Sequence, residues 1–421
     1  MASISIVIPA YNEESGIAEI VERVLDVRDS LAEVGITGFE LLVVDDGSRD
    51  KTALITGELA EENPALRLIS HPTNKGYGAA LKTGFTNATG DLIGFLDADG
   101  TYPPEFFPQL CEAALNGADL VIGSRMAGAD SEMPVTRRVG NLFFANLLSV
   151  VSNQRVSDSA SGMRVFKREI LQRIYPLPDG LNLTPVMSTR AVHEGIKMAE
   201  VPIPYSERVG RSKLSVTQDG TLFLQSILWT AMSYNPVRLL GMLGLVGIVL
   251  SLICALGLAV TRLQGVQTLE PWNVVAIYVG AISGVVGVSL FALGVMFNYL
   301  VSLFHKRPVR QGLFGKPMFS TPIERYFGWL GLLALLAGLV VGFANLYLGL
   351  NGWNMNRLWL YGLGSAMLIL VGVQLIIYWI IIRTLEELSQ REMIIASEIG
   401  VFDSEDRASW TSRFEVPAME Q

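Results

Sequence analysis

The sequence predicts an α/β domain built on a mainly parallel sheet, followed by an α-helical transmembrane domain. Three observations carry that prediction. Residues 1–205 alternate short β-branched runs with helical stretches, the pattern of parallel strands joined by helical crossovers. Residues 236–421 contain four long stretches without charge. The charge itself is divided: residues 1–235 hold 29 Asp+Glu against 20 Lys+Arg, near −9, whereas residues 236–421 hold 11 against 12, near +1. Over all 421 residues 50 % are apolar and only 17 % are charged, where a soluble chain carries about 25 %. These proportions exclude a disordered chain, a collagen-like fibre and a basic nucleic-acid binder, so no nucleic-acid partner is expected.

In chain order, residues 3–8, 40–44, 66–70, 92–96 and 119–123 are apolar runs of buried-strand length. Between them, residues 15–34, 51–62, 78–87 and 104–116 read as amphipathic helices. This alternation implies right-handed crossovers and hence mainly parallel strands. Polar and small residues crowd the segments that follow the strands: Pro9-Ala10-Tyr11-Asn12-Glu13, Asp45-Asp46-Gly47-Ser48, Asp97-Ala98-Asp99-Gly100 and Ser124-Arg125. Open α/β sheets bind ligands outside the carboxyl ends of their strands, so these four loops are expected to face one crevice.

The charge-free stretches run over residues 239–261, 274–304, 327–350 and 358–382. Each is long enough for a hydrocarbon core of about 30 Å, which takes roughly 20 helical residues. Between the second and third lie His305, Lys306, Arg307 and Arg310, then Lys316 and Arg325, whereas the other two connections hold one basic residue each. The bias of basic loops toward the cytoplasm puts this loop inside. An even number of spans then places the N-terminal domain and the C-terminal tail there too. Residues 221–234, free of charge and carrying Trp229 and Tyr234, read as an interfacial helix lying on the bilayer. Gly280-x-x-x-Gly284 and Gly338-x-x-x-Gly342 suit close helix contacts, though ordinary glycine usage explains them equally well. The expected organisation is a cytoplasmic catalytic domain over 1–215, interfacial helix over 216–236, four spans over 237–384 and a polar tail over 385–421. The strand-like N-terminus has no basic n-region, so no signal peptide is expected. Cys111 and Cys254 lie too far apart in character and place for a disulfide scaffold.

Asp97 and Asp99 end a strand, and carboxylates at i and i+2 of an extended segment point to the same side. Two like charges held that close call for a cation, and carboxylate plus phosphate oxygens are the usual surroundings of Mg²⁺ or Mn²⁺. Asp45-Asp46 ends a neighbouring strand in the same way, and Asp45 suits a base or ribose. Gly76-Tyr77-Gly78 opens a helix, but Leu81 stands where a dinucleotide fingerprint needs a third Gly or Ala. Its glycines are expected to let the backbone approach the metal loop. With three His in the chain and none in these motifs, histidine catalysis is not expected. Arg125, Arg137, Arg138, Arg164, Lys167, Arg208, Arg211 and Lys213 form a basic set in an acidic domain, read collectively as an anion site near the membrane face.

In their order, these motifs, together with Asn74-Lys75-Gly76-Tyr77-Gly78, Asp158-Ser159-Ala160-Ser161-Gly162-Met163-Arg164 and Gly210-Arg211-Ser212-Lys213-Leu214, resemble the GT-A glycosyltransferases of family 2, specifically the multi-span dolichyl/polyprenyl-phosphate sugar synthases. The resemblance covers about residues 1–235. It implies a Rossmann-like GT-A domain and inverting transfer of a hexose, glucose or mannose, from a UDP- or GDP-sugar to a polyprenyl phosphate, with Mg²⁺ or Mn²⁺. It further implies that Pro9, Ala10, Tyr11, Glu13, Asp45, Asp46, Lys75, Gly76, Asp97, Ala98 and Asp99 bind the nucleotide-sugar, and that Asp97 and Asp99 hold the metal. Arg125, Arg137, Arg138, Arg208 and Lys213 would contact the acceptor phosphate, with Asp97, Asp99, Arg125 and Arg211 as the catalytic set. Many relatives carry Asp-Ala-Asp-Leu-Gln, the Gln helping the metal, where this chain has Gly100-Thr101. The expected setting is a prokaryotic plasma membrane, with a homo-oligomer through the spans as a further expectation. A processive polysaccharide synthase would need an acceptor motif Gln/Arg-x-x-Arg-Trp, which is absent from the sequence. A transporter or scaffold is disfavoured by spans without acidic or basic residues and by the intact Asp97 and Asp99.

Overall fold

A computed structural model describes residues 2–126, 133–152, 156–205, 216–264, 270–305, 323–353 and 355–398. The chain divides into two compact units, Met1–Ala231 and Met232–Gln421.

In the first unit apolar residues are the majority in β1 (Ala2–Ala10), β2 (Ile36–Asp45), β3 (Leu66–Ser70), β4 (Leu92–Phe95) and β5 (Leu120–Ser124). Two further strands, β6 (Arg164–Lys167) and β7 (Met198–Pro202), complete a sheet of order β3-β2-β1-β4-β6-β5-β7. All neighbours pair in parallel except β6, which lies antiparallel to both β4 and β5. The sheet is thus mixed but mainly parallel, and β1, β2, β4 and β5 all end at the same edge.

Alternation along each strand feeds two cores, one on each face of the sheet. Ile4, Ile6, Ile8, Leu41 and Val43 point to one face, where α1 (Ile17–Asp26) adds Ile17, Ile20, Val21 and Val24 at helical spacing. Residues 15–34 do not form one helix: Val27 turns the chain with φ −75° and ψ −4°, and α2 (Arg28–Glu33) follows. The same face carries α3 (Thr52–Glu62) and α5 (Phe107–Leu115). Val7, Leu42, Val44 and Ile93 point to the other face, against α4 (Tyr77–Asn87) and α8 (Leu183–His193). A short α7 (Leu171–Ile174) leads into that layer. Like α7 and α8, α6 (Val135–Ser152), whose Leu148 joins this second core, has no counterpart among the helices read from the sequence. Residues 221–234 do form a helix, within α9 (Val216–Tyr234), whose Ile227 and Ala231 are buried.

The second unit is helical: α10 (Pro236–Leu263), α11 (Pro271–His305), α12 (Phe327–Leu350) and α13 (Met355–Glu398). Asn235 caps α10 through its side chain, with Pro236 at the first helical position. Among the described residues four helical segments are long and apolar enough to cross a membrane: Pro236–Leu263, Pro271–Val301, Glu324–Leu350 and Leu360–Leu388. Each contains or overlaps one of the four charge-free stretches. The small residues do sit at contacts, since a Cβ on Gly284 would lie 2.6 Å from Ser251 Oγ and one on Gly338 2.8 Å from the Ile369 side chain. Gln374 Nε2 donates to Ser289 Oγ at 3.0 Å, joining α13 to α11. The basic residues of the 306–322 loop and the tail beyond 398 lie outside the described residues.

Candidate active site

The loops after β1 and β2 are stitched together by side chains. Asn12 adopts a left-handed φ of 52°, and in that position its N–H donates to Ser48 Oγ at 2.9 Å while its Oδ1 accepts from the Arg49 N–H at 2.8 Å. The Glu13 N–H donates to Thr52 Oγ1 at 2.9 Å. Pro9 and Ala10 are consequently buried beneath the crevice, and Tyr11 and Glu13 are half-buried at its rim.

Asp45 and Asp46 are each only 3 % exposed. The Asp46 carboxylate is engaged by the protein itself: it receives the Lys75 N–H at 2.9 Å and the Gly76 N–H at 2.8 Å, and lies 2.7 Å from His71 Nδ1. His71 Nε2 in turn lies 2.9 Å from Thr83 Oγ1 on α4. Asp46 and His71 therefore brace the β2 loop against the turn that opens α4. The sequence reading passed over His71; its place one residue after a strand and just before Pro72-Thr73-Asn74-Lys75-Gly76 is the signal that could have found it. Asp45 accepts from the Ser48 N–H at 3.2 Å, and the Lys75 side chain is exposed.

One expectation is corrected here. The glycines of Gly76-Tyr77-Gly78 do not give way to the Asp97–Asp99 loop but to the 178–179 segment. Gly76 has φ 104°, and a Cβ on Gly78 would lie 2.2 Å from the Pro178 carbonyl oxygen. That closeness lets the N–H groups of Gly78 and Ala79 donate to the Asp179 carbonyl at 2.7 and 3.1 Å.

Asp97 and Asp99 follow β4, both half-buried on either side of a buried Ala98. The Tyr77 hydroxyl donates to Asp97 Oδ1 at 2.7 Å. Burial, and then the Asp97 charge, push the Tyr77 phenol well above its ordinary value, so it remains a donor. Gly162 backs the same carboxylate: a Cβ there would lie 2.3 Å from Asp97 Oδ2, and its N–H donates to the Tyr102 hydroxyl at 2.7 Å. Asp99 Oδ1 accepts from Thr101 Oγ1 at 2.6 Å and from the Thr101 N–H at 3.2 Å. Thr101 is buried and acts on Asp99. Two carboxylates with oxygen-only donors, each steadied by a protein hydroxyl, fit a hard divalent ion that completes its shell with water and substrate phosphate. Among the described residues no group of three or more His, Cys, Asp or Glu gathers as a metal cluster.

The described members of the basic set do not form one patch. Arg125 Nε and Nη2 donate to Asp158 Oδ2 and Oδ1, both at 2.8 Å, and the guanidinium carbon lies 5.7 Å and 5.5 Å from the ring centres of Tyr102 and Tyr205. Asp158, fully buried, also accepts from Asn141 Nδ2 on α6 at 2.9 Å. Burial alone would raise its carboxyl, but Arg125 beside it and these hydrogen bonds hold it below the usual carboxylate value. The Arg125 charge that the sequence offered to a phosphate is thus engaged by Asp158. Arg164 is fully buried on β6, and donates to the carbonyls of Ser161 and Ser159 and to Ser188 Oγ at 2.8–3.0 Å. Burial lowers its guanidinium to about 10. It shapes the 159–162 turn that carries Gly162 to Asp97. Lys167 pairs with Asp119 at 2.8 Å. Neither Arg164 nor Lys167 belongs to an anion site, which corrects that part of the collective reading. Arg138 is exposed on α6; the side chain of Arg137, and Arg208, Arg211 and Lys213, lie outside the described residues.

The profile of glycosyl transferase family 2 matches residues 5–175, and that of a domain of unknown function matches residues 236–396. The chain is 32 % identical over 224 residues to a dolichyl-phosphate hexose transferase of Haloferax volcanii, covering 53 % of this chain and 92 % of the relative. It is 30 % identical over 289 residues to the undecaprenyl-phosphate 4-deoxy-4-formamido-L-arabinose transferase of Edwardsiella ictaluri, covering 66 % of this chain and 84 % of the relative. Among solved structures, a glucosyl-3-phosphoglycerate synthase of Mycobacterium tuberculosis aligns with a TM-score of 0.44 at 21 % identity, covering 55 % of this chain and 78 % of that one.

Proposed function

Because the chain belongs to glycosyl transferase family 2, we propose that it transfers a sugar from a nucleotide-diphosphate sugar to the phosphate of a membrane polyprenyl lipid, inverting the anomeric carbon. The observation that carries this reading is the presence, in one chain, of the braced Asp97/Asp99 pair and four helices long enough to span a bilayer. A polyprenyl acceptor does not leave the membrane, so an enzyme acting on it must be held there.

In the reaction an oxygen of the acceptor phosphate attacks the anomeric carbon, the bond from that carbon to the diphosphate oxygen breaks, and the electron pair leaves with the nucleoside diphosphate. The second pKa of a phosphate monoester is near ~6, so the acceptor is mostly a dianion at neutral pH and needs no general base. Asp97 and Asp99 would hold Mg²⁺ or Mn²⁺, which when bound offsets charge on the leaving diphosphate. Tyr77 and Thr101 fix one oxygen of each carboxylate. Tyr11, Glu13, Asp45 and Lys75 line the nucleotide side, with Asp46 acting through the turn it braces. We assign the acceptor phosphate to Arg138 and the basic residues Arg208, Arg211 and Lys213, with Arg125 fixing the wall behind them.

The Haloferax volcanii relative favours a hexose donor; the Edwardsiella ictaluri relative favours 4-deoxy-4-formamido-arabinose as the second reading. The catalytic unit and both termini are assigned to the cytoplasm of a prokaryotic cell, where nucleotide-sugars are made, from the basic 306–325 loop. Purified protein, undecaprenyl or dolichyl phosphate and Mn²⁺, supplied in turn with radiolabelled UDP- and GDP-hexoses and UDP-formamido-arabinose, should yield a labelled phospholipid-sugar with one of them. No labelled lipid with any donor overturns the reading.

A further inference from the structure

A buried cation of the second unit has no counterpart in the protein. Arg238, the third residue of α10, is 7 % exposed, and among the described residues its guanidinium makes no hydrogen bond or ion pair. Its Nε is fully enclosed and finds no acceptor. Only the Arg238 backbone N–H is engaged, by the carbonyl oxygen and Oδ1 of Asn235 at 3.2 and 3.3 Å. Asn235 is itself buried, and with Oδ1 turned to that cap its Nδ2 has no acceptor among the described residues. The helices α10, α11 and α12 contain no acidic residue. Glu324 is engaged by the Tyr299 hydroxyl at 3.2 Å, and Glu386 by Arg383 at 2.7 Å. Next to Arg238, Val237 packs with Val295, Tyr299, Phe327 and Ile382, a dry wall. A guanidinium stays charged at any relevant pH, and burying it unpaired costs several kcal/mol. Such a residue calls for a compensating partner.

Charge and depth identify that partner. A guanidinium, a carboxamide NH₂ and the positive N-terminal end of a 28-residue helix are donors only, the complement of an anion. Depth then selects the kind of anion. The 28 residues of the span Pro236–Leu263 rise about 42 Å, and a bilayer with its headgroups is about 40–45 Å thick. The first turn of α10 therefore lies at the level of the lipid phosphates. An arginine that merely snorkels would turn its head out to water, whereas Arg238 is held inside. Its planar fork matches two oxygens of one phosphate.

We propose that Asn235 and Arg238 form a phosphate site at the head of α10, which holds the headgroup of a phosphate-bearing membrane lipid. The guanidinium makes the charge-assisted contact and Asn235 Nδ2 adds a further hydrogen bond. Polyprenyl phosphate and anionic phospholipids present the same oxygens to these donors, and the experiment separates the two sources. The polyprenyl source rests on the sugar-transfer reading; the phosphate site does not. Both residues belong to the second unit and are distinct from the Asp97/Asp99 pair and from Arg138 of the first.

The test titrates full-length protein, stripped of lipid in dodecyl maltoside, with two matched pairs. These are undecaprenyl phosphate against undecaprenol, and dioleoylphosphatidylglycerol against dioleoylglycerol. An Arg138→Ala background weakens the phosphate contact assigned to the catalytic unit. Native mass spectrometry reads bound lipid, and thermal unfolding reads the stabilisation that binding confers. At least one phosphate-bearing lipid should bind about tenfold or more tightly than its alcohol and raise the Tm. Arg238→Met keeps the length of the side chain without its charge. It should weaken that lipid by about ten- to hundredfold and abolish the shift. Its own Tm without lipid should hold or rise, because an unpaired buried charge has been removed. Arg238→Lys keeps the charge but not the fork; it should lose part of the affinity, and it serves as the comparison if the Met variant does not fold. Preference for undecaprenyl phosphate makes the acceptor the occupant, and preference for phosphatidylglycerol makes it a resident phospholipid. Alcohols that bind as well as their phosphates, or phosphate affinity that neither substitution lowers, would overturn the proposal. Inorganic phosphate that stabilises as well as either lipid would overturn the lipid assignment. No sugar donor is present, so failure here leaves the transfer reading standing, and an inactive enzyme that still binds leaves the site standing.

Discussion

Replacing Asp158 by Asn removes the charge that faces Arg125 while leaving the shape of the site almost unchanged. Asp158 is fully buried and Arg125 nearly so, with a bidentate contact at 2.8 Å and a third hydrogen bond from the Arg125 N–H at 3.1 Å. Taking away one partner of a buried pair costs about 3–5 kcal/mol, because the remaining charge is left without compensation. In a unit of this size each kcal/mol moves the melting temperature by about 2–4 °C, so Asp158→Asn should lower it by roughly 6–20 °C. Near-UV circular dichroism of the purified protein in detergent reads the transition through tyrosines such as Tyr102 and Tyr205, which stack on Arg125. The double variant Arg125→Met/Asp158→Leu should recover most of the loss, since apolar replacement of a whole buried pair is close to neutral. The pH dependence has a definite sign. The Asp158 carboxyl is depressed in the folded state, so its contribution is present above the unfolded value of about 3.9 and is lost only as pH falls through the lower folded value. The gap between wild type and Asp158→Asn should hold at pH 5 and close at lower pH. A shift of Asp158→Asn below about 2 °C, which corresponds to under 1 kcal/mol, or a double variant as unstable as the sum of the singles, would refute the argument.

Four further outcomes are expected. Asp99→Ala, or a chelator added to wild type, should abolish sugar transfer with the fold intact, and full turnover in excess chelator would sink the metal assignment. Tyr77→Phe removes only the hydroxyl that holds Asp97, and Mn²⁺ affinity in the presence of nucleotide, measured by electron paramagnetic resonance, should fall by about 10- to 100-fold. Gly162→Ala puts a methyl 2.3 Å from Asp97 Oδ2, so it should weaken Mn²⁺ binding at least as much; unchanged binding would show that the carboxylate has room to move. Arg138→Ala should raise the KM for lipid phosphate roughly ten- to hundredfold, the worth of a charge-assisted contact of about 1.5–3 kcal/mol, while leaving nucleotide binding alone; equal losses would assign it to the donor or the fold.

The features legible in the sequence were those written as periodicity. The five apolar runs are β1 to β5, and the charge-free stretches are the long helices of the second unit. β6 was hidden because its four residues, Arg-Val-Phe-Lys, begin and end with a charge, and a guanidinium at 0 % exposure reverses the ordinary rule for arginine. β7 was hidden because, as an edge strand, it is only partly buried and carries Glu200. α6 escaped because its face toward the core holds only Asn141, Ala145 and Leu148 as buried residues while Val135, Val139, Leu142, Phe143 and Val150 face out, inverting the usual amphipathic pattern. The acidic pairs could be located but not told apart. Only the fold brings His71 to Asp46 and Tyr77 to Asp97, making the first a brace and leaving the second at the crevice. The basic residues, close in sequence type, are separated in space because Asp158 and Asp119 each claim one of them.

The position of β6 has a consequence for how the enzyme is made. It enters between β4 and β5, both synthesised before it, and runs against them. A nascent chain that has emerged as far as α6 therefore has β4 with one edge unpaired and β5 with neither neighbour in place, and the gap between them closes only when Arg164–Lys167 leaves the ribosome. The turn carrying Gly162 immediately precedes those four residues, so the back wall of the Asp97 crevice and the missing rung of the sheet are supplied together. Until then the ribosome carries an open sheet and an apolar helix, a natural client for a chaperone or for early capture at the bilayer. The back of the Asp97 crevice is thus closed by one short strand that precedes the first spanning helix in the chain.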